Sequence, residues 1–207
     1  MSSLQIIDLT PDDSALLIAV ADVLVSGFSG TGAEVWQTRE DALETVEESL
    51  EDDKISRVAV DDTGRVVGWI SAVSTYDGWV WEIHPLVVHR DCQGQGIGRA
   101  LVEDLEVQVR ERGGMTVCLG TDDENGRTSI GGTDLYPDPL AAATTLRSHG
   151  SHPFEFYRKL GYAVVGVLPD ANGYGKPDIF MAKRVGVAPT ADGAADALVE
   201  VLAGDPA

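Results

Sequence analysis

Lysine is nearly absent from this chain of 207 residues. Only Lys54, Lys159, Lys176 and Lys183 occur, and 15 Lys plus Arg face 34 Asp plus Glu, a formal charge of −19. A partner that binds through phosphates needs a basic face, so the balance argues against nucleic acid. Cysteine is as scarce: Cys92 and Cys118 cannot build a disulfide framework, and Cys118, in an apolar run, is expected in the core. No run approaches the ~20 apolar residues of a membrane span, so no membrane partner is expected. The start, "MSSLQIIDLTPDD", has neither a basic region nor an apolar core, and no secretory leader is expected from it. These absences point to a cytoplasmic enzyme or binding domain. The acid is spread along the whole chain, as in a solubility device for a salty, halophilic cytoplasm. It would also attract cationic ligands.

Residues 4–8 predict a short strand. Thr10 as a cap, with Pro11 in the first helical position, predicts a helix through "SALLIAVADVLVSGF". Thr38 caps a second, with Leu43, Val46 and Leu50 on one face and eight acidic residues from Glu40 to Asp53 around it. Strands are predicted at 56–60, 65–75 and 79–88, with turns at Asp62-Thr63-Gly64 and Asp77-Gly78. Pro85 interrupts the third, because proline cannot donate to a ladder, and a bulge or splay is expected there. Ile97, Leu101, Leu105 and Val109 share a helical face that ends at Arg110, Arg112 and Gly113. A strand at 115–121 follows. Residues 122–151 carry little pattern beyond a helix at "LAAATTLRS". A short helix with Pro153 in its first turn and Gly161 as its C-terminal cap precedes strands at 162–168 and 178–185. The order predicts a mixed α/β sheet, antiparallel at first, with a crossover helix at 96–112.

The helix at 96–112 is entered through "HRDCQGQGIGRALVEDLE", residues 89–106. Three alternating glycines at a helix start cost stability unless something must approach the backbone. Unpaired N–H groups and the positive end of the helix suit a phosphate. A P-loop would need Gly-Lys-Ser/Thr, which is missing. The dinucleotide fingerprint fails because Arg99 stands at its third glycine. The four histidines have no metal-ligand spacing with the cysteines, and no metal is expected.

The pattern Gln93-x-x-Gly96-x-Gly98 after "LVVHRDC" resembles the acyl-CoA pyrophosphate loop of the GNAT superfamily of N-acetyltransferases. "FYRKLGY" (156–162) is similar to the helix that bears the superfamily's catalytic tyrosine. The resemblance spans 4–185. It implies a mostly antiparallel mixed sheet, flanked by helices, with a splayed parallel pair at the acyl-CoA site. It also implies acetyl-CoA as donor. The main chain of Leu86 and Val88 would meet the pantetheine arm and the acetyl carbonyl, and amides of Gln93, Gly94, Gln95, Gly96, Ile97, Gly98 and Arg99 would hold the pyrophosphate. Tyr157 would protonate the leaving thiolate.

An attacking amine must be neutral, and lysine-like amines have a pKa near 10.4, so a group or a water must take its proton. Glu82 and His84, two apart on one strand, point to one face. Glu82, His84 and water all remain open as the base. The set "GTDDE", "DLYPD", "HPFEFYRKLGY", "PDANGYGKPDI" and "MAKR" looks like the aminoglycoside 6′-N-acetyltransferase type. That resemblance implies a cationic small-molecule amine held by Asp122, with Asp123, Glu124 and Asp134 thickening the wall and Trp36 offering a flat face for a sugar. A core role for Trp36 is the competing reading. Acceptors such as a polyamine, another metabolite amine or a protein N-terminus remain open, as do a non-catalytic acyl-CoA sensor and a homodimer. Residues 1–185 are read as the domain and 186–207 as a peripheral acidic tail.

Overall fold

The computed structural model describes residues 4–29 and 35–188. Seven strands form one sheet: β1 (Gln5–Asp8), β2 (Lys54–Val60), β3 (Val66–Thr75), β4 (Val80–Val88), β5 (Thr116–Asp122), β6 (Ala163–Leu168) and β7 (Asp178–Arg184), in the order β1-β2-β3-β4-β5-β7-β6. Every pairing is antiparallel except β4 with β5. This is the mixed sheet that the sequence predicts. The helices are α1 (Ser14–Phe28), α2 (Arg39–Glu48), α3 (Ile97–Glu111), α4 (Pro139–Thr144) and α5 (Pro153–Lys159).

Alternation along the strands sends two apolar sets to opposite faces. On one face Leu17, Val20 and Leu24 of α1 and Val46 of α2 pack on Val58, Trp69 and Val87. On the other, Leu101, Leu105 and Val109 of α3 and Phe154 and Tyr157 of α5 pack on Ile70, Ile83, Val117 and Ile179. Two ion pairs fasten α3 across the sheet. Arg57 of β2, 8% exposed, donates to Asp104 at 2.7 and 3.1 Å, and Lys183 of β7 donates to Glu106 at 2.7 and 2.8 Å. Each is a charge taken largely out of water and compensated on the spot.

The β4–β5 pairing is short. Val80, Trp81 and Glu82 pair with Thr116, Val117 and Cys118, and the ladder then stops. On the other side of β4, Ile83 opposes Ala72 while Leu86 opposes Ile70, so β4 carries an extra residue where Pro85 stands. The bulge lies where proline predicts it, and the two parallel strands splay beyond it.

Some local expectations are corrected. Asp13, not Thr10, caps α1: its Oδ1 accepts the Leu16 N–H at 2.9 Å, and Thr10–Pro11 form a turn ahead of it. The helix in the long loop is shorter than predicted, because the hydroxyls of Thr144 and Thr145 bond back to Ala141 and Ala142 carbonyls at its end. Cys118 is only half-buried, since it alternates out of phase with the core residues Val117 and Leu119. Val185 and Gly186 both donate to the Met115 carbonyl, at the expected edge of the domain. Most of the expected tail, residues 189–207, lies outside the described residues.

Gly27 lies where α1 crosses the end of β4. A Cβ there would meet Val87 Cγ2 at 2.2 Å and the Val88 carbonyl oxygen at 3.2 Å. Gly27→Ala should therefore destabilise the protein by about 1–3 kcal/mol through overpacking. The check is a lower urea midpoint with an unchanged m-value; an unshifted midpoint would show that α1 does not seat tightly on β4.

Candidate active site

The capping pattern marks the site. Four helices have a side-chain N-cap: Asp13 for α1, Thr38 for α2, Asp138 for α4 and His152 for α5. α3 has none; its N-cap is Gly96, in the left-handed region at φ 87°. Gly94 is also left-handed, at φ 75°, and a Cβ on either would meet nothing within 4 Å. Positive φ is the reason for glycine at both positions. Gly98 is not left-handed, and a Cβ there would make ordinary contacts with Phe156 at 3.4 Å and Val88 at 3.6 Å. Among the described residues, no amide from Gly94 to Arg99 donates to a protein acceptor; the first that does is Ala100, to the Gly96 carbonyl. The side chains nearby turn away or tie the loop down. Gln93 Nε2 donates to the Val88 carbonyl, Gln95 Nε2 to that of Asp91, and Arg99 pairs with Glu103 along its own helix.

Beyond Glu82 and Cys118 the edge of β4 that faces β5 has no ladder partner, and this edge includes Leu86 and Val88. The splay is a slot through the sheet. Glu82 projects to the α1–α2 face, because its neighbours Trp81 and Ile83 belong to the α3–α5 core. It is half-buried and His84 is exposed. The Trp36 ring lies 6.1 Å from the His84 ring, stacks edge-on against Phe28 at 4.6 Å and donates from Nε1 to Thr45 at 2.8 Å. Trp36 thus both packs on the α1–α2 core and borders this face.

Tyr157 is on the other face, 7% exposed, with its ring edge-on to Phe156 and Tyr162. Burial holds its hydroxyl protonated well above the ordinary tyrosine range. The two predicted groups therefore lie on opposite faces of the sheet.

The predicted acidic wall separates. Asp122 ends β5, is exposed, and accepts from the Asn172 side chain. Glu124 is half-buried. Asp134 is exposed and accepts the Tyr136 N–H in a turn. Asp123 does not join the wall: it is 1% exposed and accepts from the Arg127 N–H, the Thr128 N–H and the Thr128 hydroxyl, at 2.6–2.9 Å. These bonds hold its pKa below the usual carboxylate range although burial alone would raise it. Asp123 organises the long loop, which the alternation of "TDDE" could not reveal.

Two residues beside the predicted ones escaped the sequence reading. Asp178 opens β7 directly across from Asp122 and shares the face of Glu82. His152 joins the strand to the tyrosine helix. Its Nε2–H donates to the Asp122 carbonyl at 3.1 Å, and its Nδ1 accepts the Phe154 N–H at 3.3 Å, capping α5. The Nδ1 bond requires the neutral ring, whereas the Nε2–H can donate in either charge state. Among the described residues no group of three or more His, Cys, Asp or Glu is placed to hold a metal, and no helix is long and apolar enough to cross a membrane.

Comparison with known proteins agrees with this geometry. The acetyltransferase (GNAT) family model matches residues 19–130. An aminoglycoside 6′-N-acetyltransferase solved in complex with coenzyme A is 38% identical over 90% of this chain and 99% of its own, with a TM-score of 0.81. The aminoglycoside 6′-N-acetyltransferase from Enterococcus faecium gives the same identity and coverage, with a TM-score of 0.82. The ribosomal-protein-S18-alanine N-acetyltransferase from Escherichia coli shares the fold alone, at 18% identity and a TM-score of 0.62. No curated protein matches by sequence. The chain belongs to the GNAT acetyltransferase family. It is an acetyl-CoA-dependent N-acetyltransferase, and the free amides and open glycines at the start of α3 fit the pyrophosphate of that donor.

Burial depresses the pKa of His152 below its ordinary 6.5, with Arg127 adding to the effect and Asp122 and Asp123 opposing it. Above 6.5 the ring is neutral in both folded and unfolded chains. As pH falls below 6.5 the unfolded chain takes up the proton first, so stability drops until the folded ring titrates too. Asp178, with its raised pKa, acts in the opposite sense, so the informative quantity is the difference between wild type and His152→Asn, which keeps a capping acceptor and does not titrate. That difference should shrink from pH 7.5 to pH 5 in urea titrations. A difference independent of pH would mean that His152 is not the titrating link.

Proposed function

We propose that the acceptor is a polycationic small molecule, with the 6′-amine of an aminoglycoside as the reacting group. The observation that carries this reading is 38% identity across 90% of the chain to enzymes of that name. The physical support is a face carrying Glu82, Asp122 and Asp178 around an open slot, to which an ammonium-rich ligand is drawn. Trp36 and Glu124 border the acceptor in this reading, and Asp134 contributes at longer range. Asp123 has no part in it.

The slot separates the two proton transfers. The amides from Gly94 to Arg99 bind the pyrophosphate, and the main chain at Leu86 and Val88 orients the thioester in the gap. Glu82, directly or through a water, takes the proton from the acceptor ammonium on the α1–α2 side. The amine nitrogen then bonds to the acetyl carbon, the carbon–sulfur bond breaks, and the nitrogen's second proton passes to solvent, leaving the neutral amide. Tyr157, on the α3–α5 side, gives its proton to the departing thiolate. His84 is the second candidate for the base. One chain supplies every group in the scheme, so it works in a monomer or a homodimer alike. The domain is residues 1–185 with a peripheral tail, and the net charge of −19 reflects a salty, halophilic cytoplasm.

Gly96→Asp sets a carboxylate in the cradle and should sharply weaken acetyl-CoA binding in a folded protein, as measured by calorimetry. Tyr157→Phe should lower kcat by ~10²-fold or less with cofactor affinity nearly kept, and Glu82→Gln should flatten the alkaline rise of the pH–rate profile. The acceptor is tested with kanamycin, spermidine and a peptide with a free N-terminus, at low and high salt. Kanamycin turnover that falls in Asp122→Asn is the expected result. Robust peptide acetylation without kanamycin turnover at any salt would overturn it.

A further inference from the structure

Asp178 is the one carboxylate on the active face with a buried, unsatisfied atom. Its Oδ1 is buried without a hydrogen-bond partner among the described residues, although buried carboxylate oxygens are normally paired. Its side chain lies over Gly120: a Cβ on Gly120 would stand 2.5 Å from Oδ2 and 2.9 Å from Oδ1. Gly120 sits on β5 between Cys118, the partner of Glu82, and Asp122, the partner of Asp178. On that face the missing Cβ is a notch, and the carboxylate of Asp178 fills it. The charges of Glu82 and Asp122 both reach it.

We propose that Asp178 binds an ammonium group of the acceptor beside Glu82, and that it gives up any proton it carries in the empty site when the cation arrives. This rests on the reading of the acceptor as a polycationic amine. The exchange is simple: the carboxylic acid gives its proton to solvent and the carboxylate pairs with the incoming ammonium, with no change at the acceptor's bonds. Gly120 is the specificity device, because any side chain there would displace the carboxylate.

The surroundings agree. Burial, then Asp122 and, more weakly, Glu82 push the pKa of Asp178 up to about 6, while the N–H groups of Ile179 and Thr121 offset part of the rise. Cys118 on the same face is itself pushed up to about 11, by burial and by Glu82, so it stays a neutral thiol. His84 lies on β4 two residues beyond Glu82, and on the β6 side the register partner of Asp178 is Leu168, which carries no charge. Lys176, two residues earlier, runs beside Gly173 in the preceding turn. Two neighbouring carboxylates resist a third negative charge, and a bound cation removes that resistance. The arrangement couples recognition of charge to a proton.

The test measures proton release by calorimetry in two buffers of different ionisation enthalpy, with kanamycin added to wild type, Asp178→Asn and Gly120→Ala at pH 6 and pH 8. Wild type should release about half a proton more than Asp178→Asn at pH 6, and the difference should vanish at pH 8. In steady-state assays both variants should raise the kanamycin KM on the order of tenfold, the loss expected for one charge-assisted hydrogen bond, with a smaller effect on kcat. Acetyl-CoA affinity reports that both variants are folded. If wild type acetylates kanamycin while Asp178→Asn matches it in KM and in proton release, the proposal is overturned. If kanamycin neither binds nor reacts, the acceptor reading fails, and the same comparison with spermidine decides Asp178: equal affinity and equal proton release in wild type and Asp178→Asn overturn it.

Discussion

Six backbone N–H groups, from Gly94 to Arg99, donate to no protein acceptor among the described residues. Unpaired donors at a helix start are ordinarily satisfied by a side-chain cap, and α1, α2, α4 and α5 follow that rule. α3 breaks it, and the rest of the molecule is arranged around the exception. Ion pairs from Arg57 and Lys183 lock α3 against the sheet at Asp104 and Glu106. The β4–β5 ladder ends at Glu82 and Cys118, three residues before the bulge at Pro85. Local stability is given up at the loop and recovered in the helix body, whose apolar side is fully buried.

The proposed mechanism uses the two faces of the sheet separately. Forming an amide from an ammonium takes two protons from nitrogen and delivers one to sulfur. Strand alternation sends Glu82 to one face, and α5 brings Tyr157 to the other. The tyrosine is buried among aromatic rings and keeps its proton. The carboxylates share the more open face, where a cation can reach them. His152 connects the two halves, bonding the carbonyl of Asp122 and capping the tyrosine helix with the same ring.

Much of this was legible in the sequence. Period-two and period-3.6 patterns located the strands and the main helices, and Pro85 announced the bulge. The glycine pattern before α3, together with "FYRKLGY", identified the family, because glycine at positive φ and an uncapped helix start are local properties. What was not legible depends on the third dimension. Asp122 and Asp123 are adjacent and alike, yet the loop that follows turns back and engulfs Asp123. Asp178 lies 56 residues along the chain from Asp122 and meets it only through the β5–β7 register. Thr10 and Asp13 both offer caps, and the choice rests on where α1 docks.

The central claim is that the uncapped start of α3 binds the pyrophosphate of the donor. The most direct measurement is an amide nitrogen–proton NMR titration of the ¹⁵N-labelled protein with coenzyme A. The account predicts that the amide protons of Gly94 to Arg99 shift downfield together, as charge-assisted hydrogen bonds form, while those of the last turn of α3 stay in place. Saturating coenzyme A binding with the Gly94–Arg99 amides unmoved would contradict it.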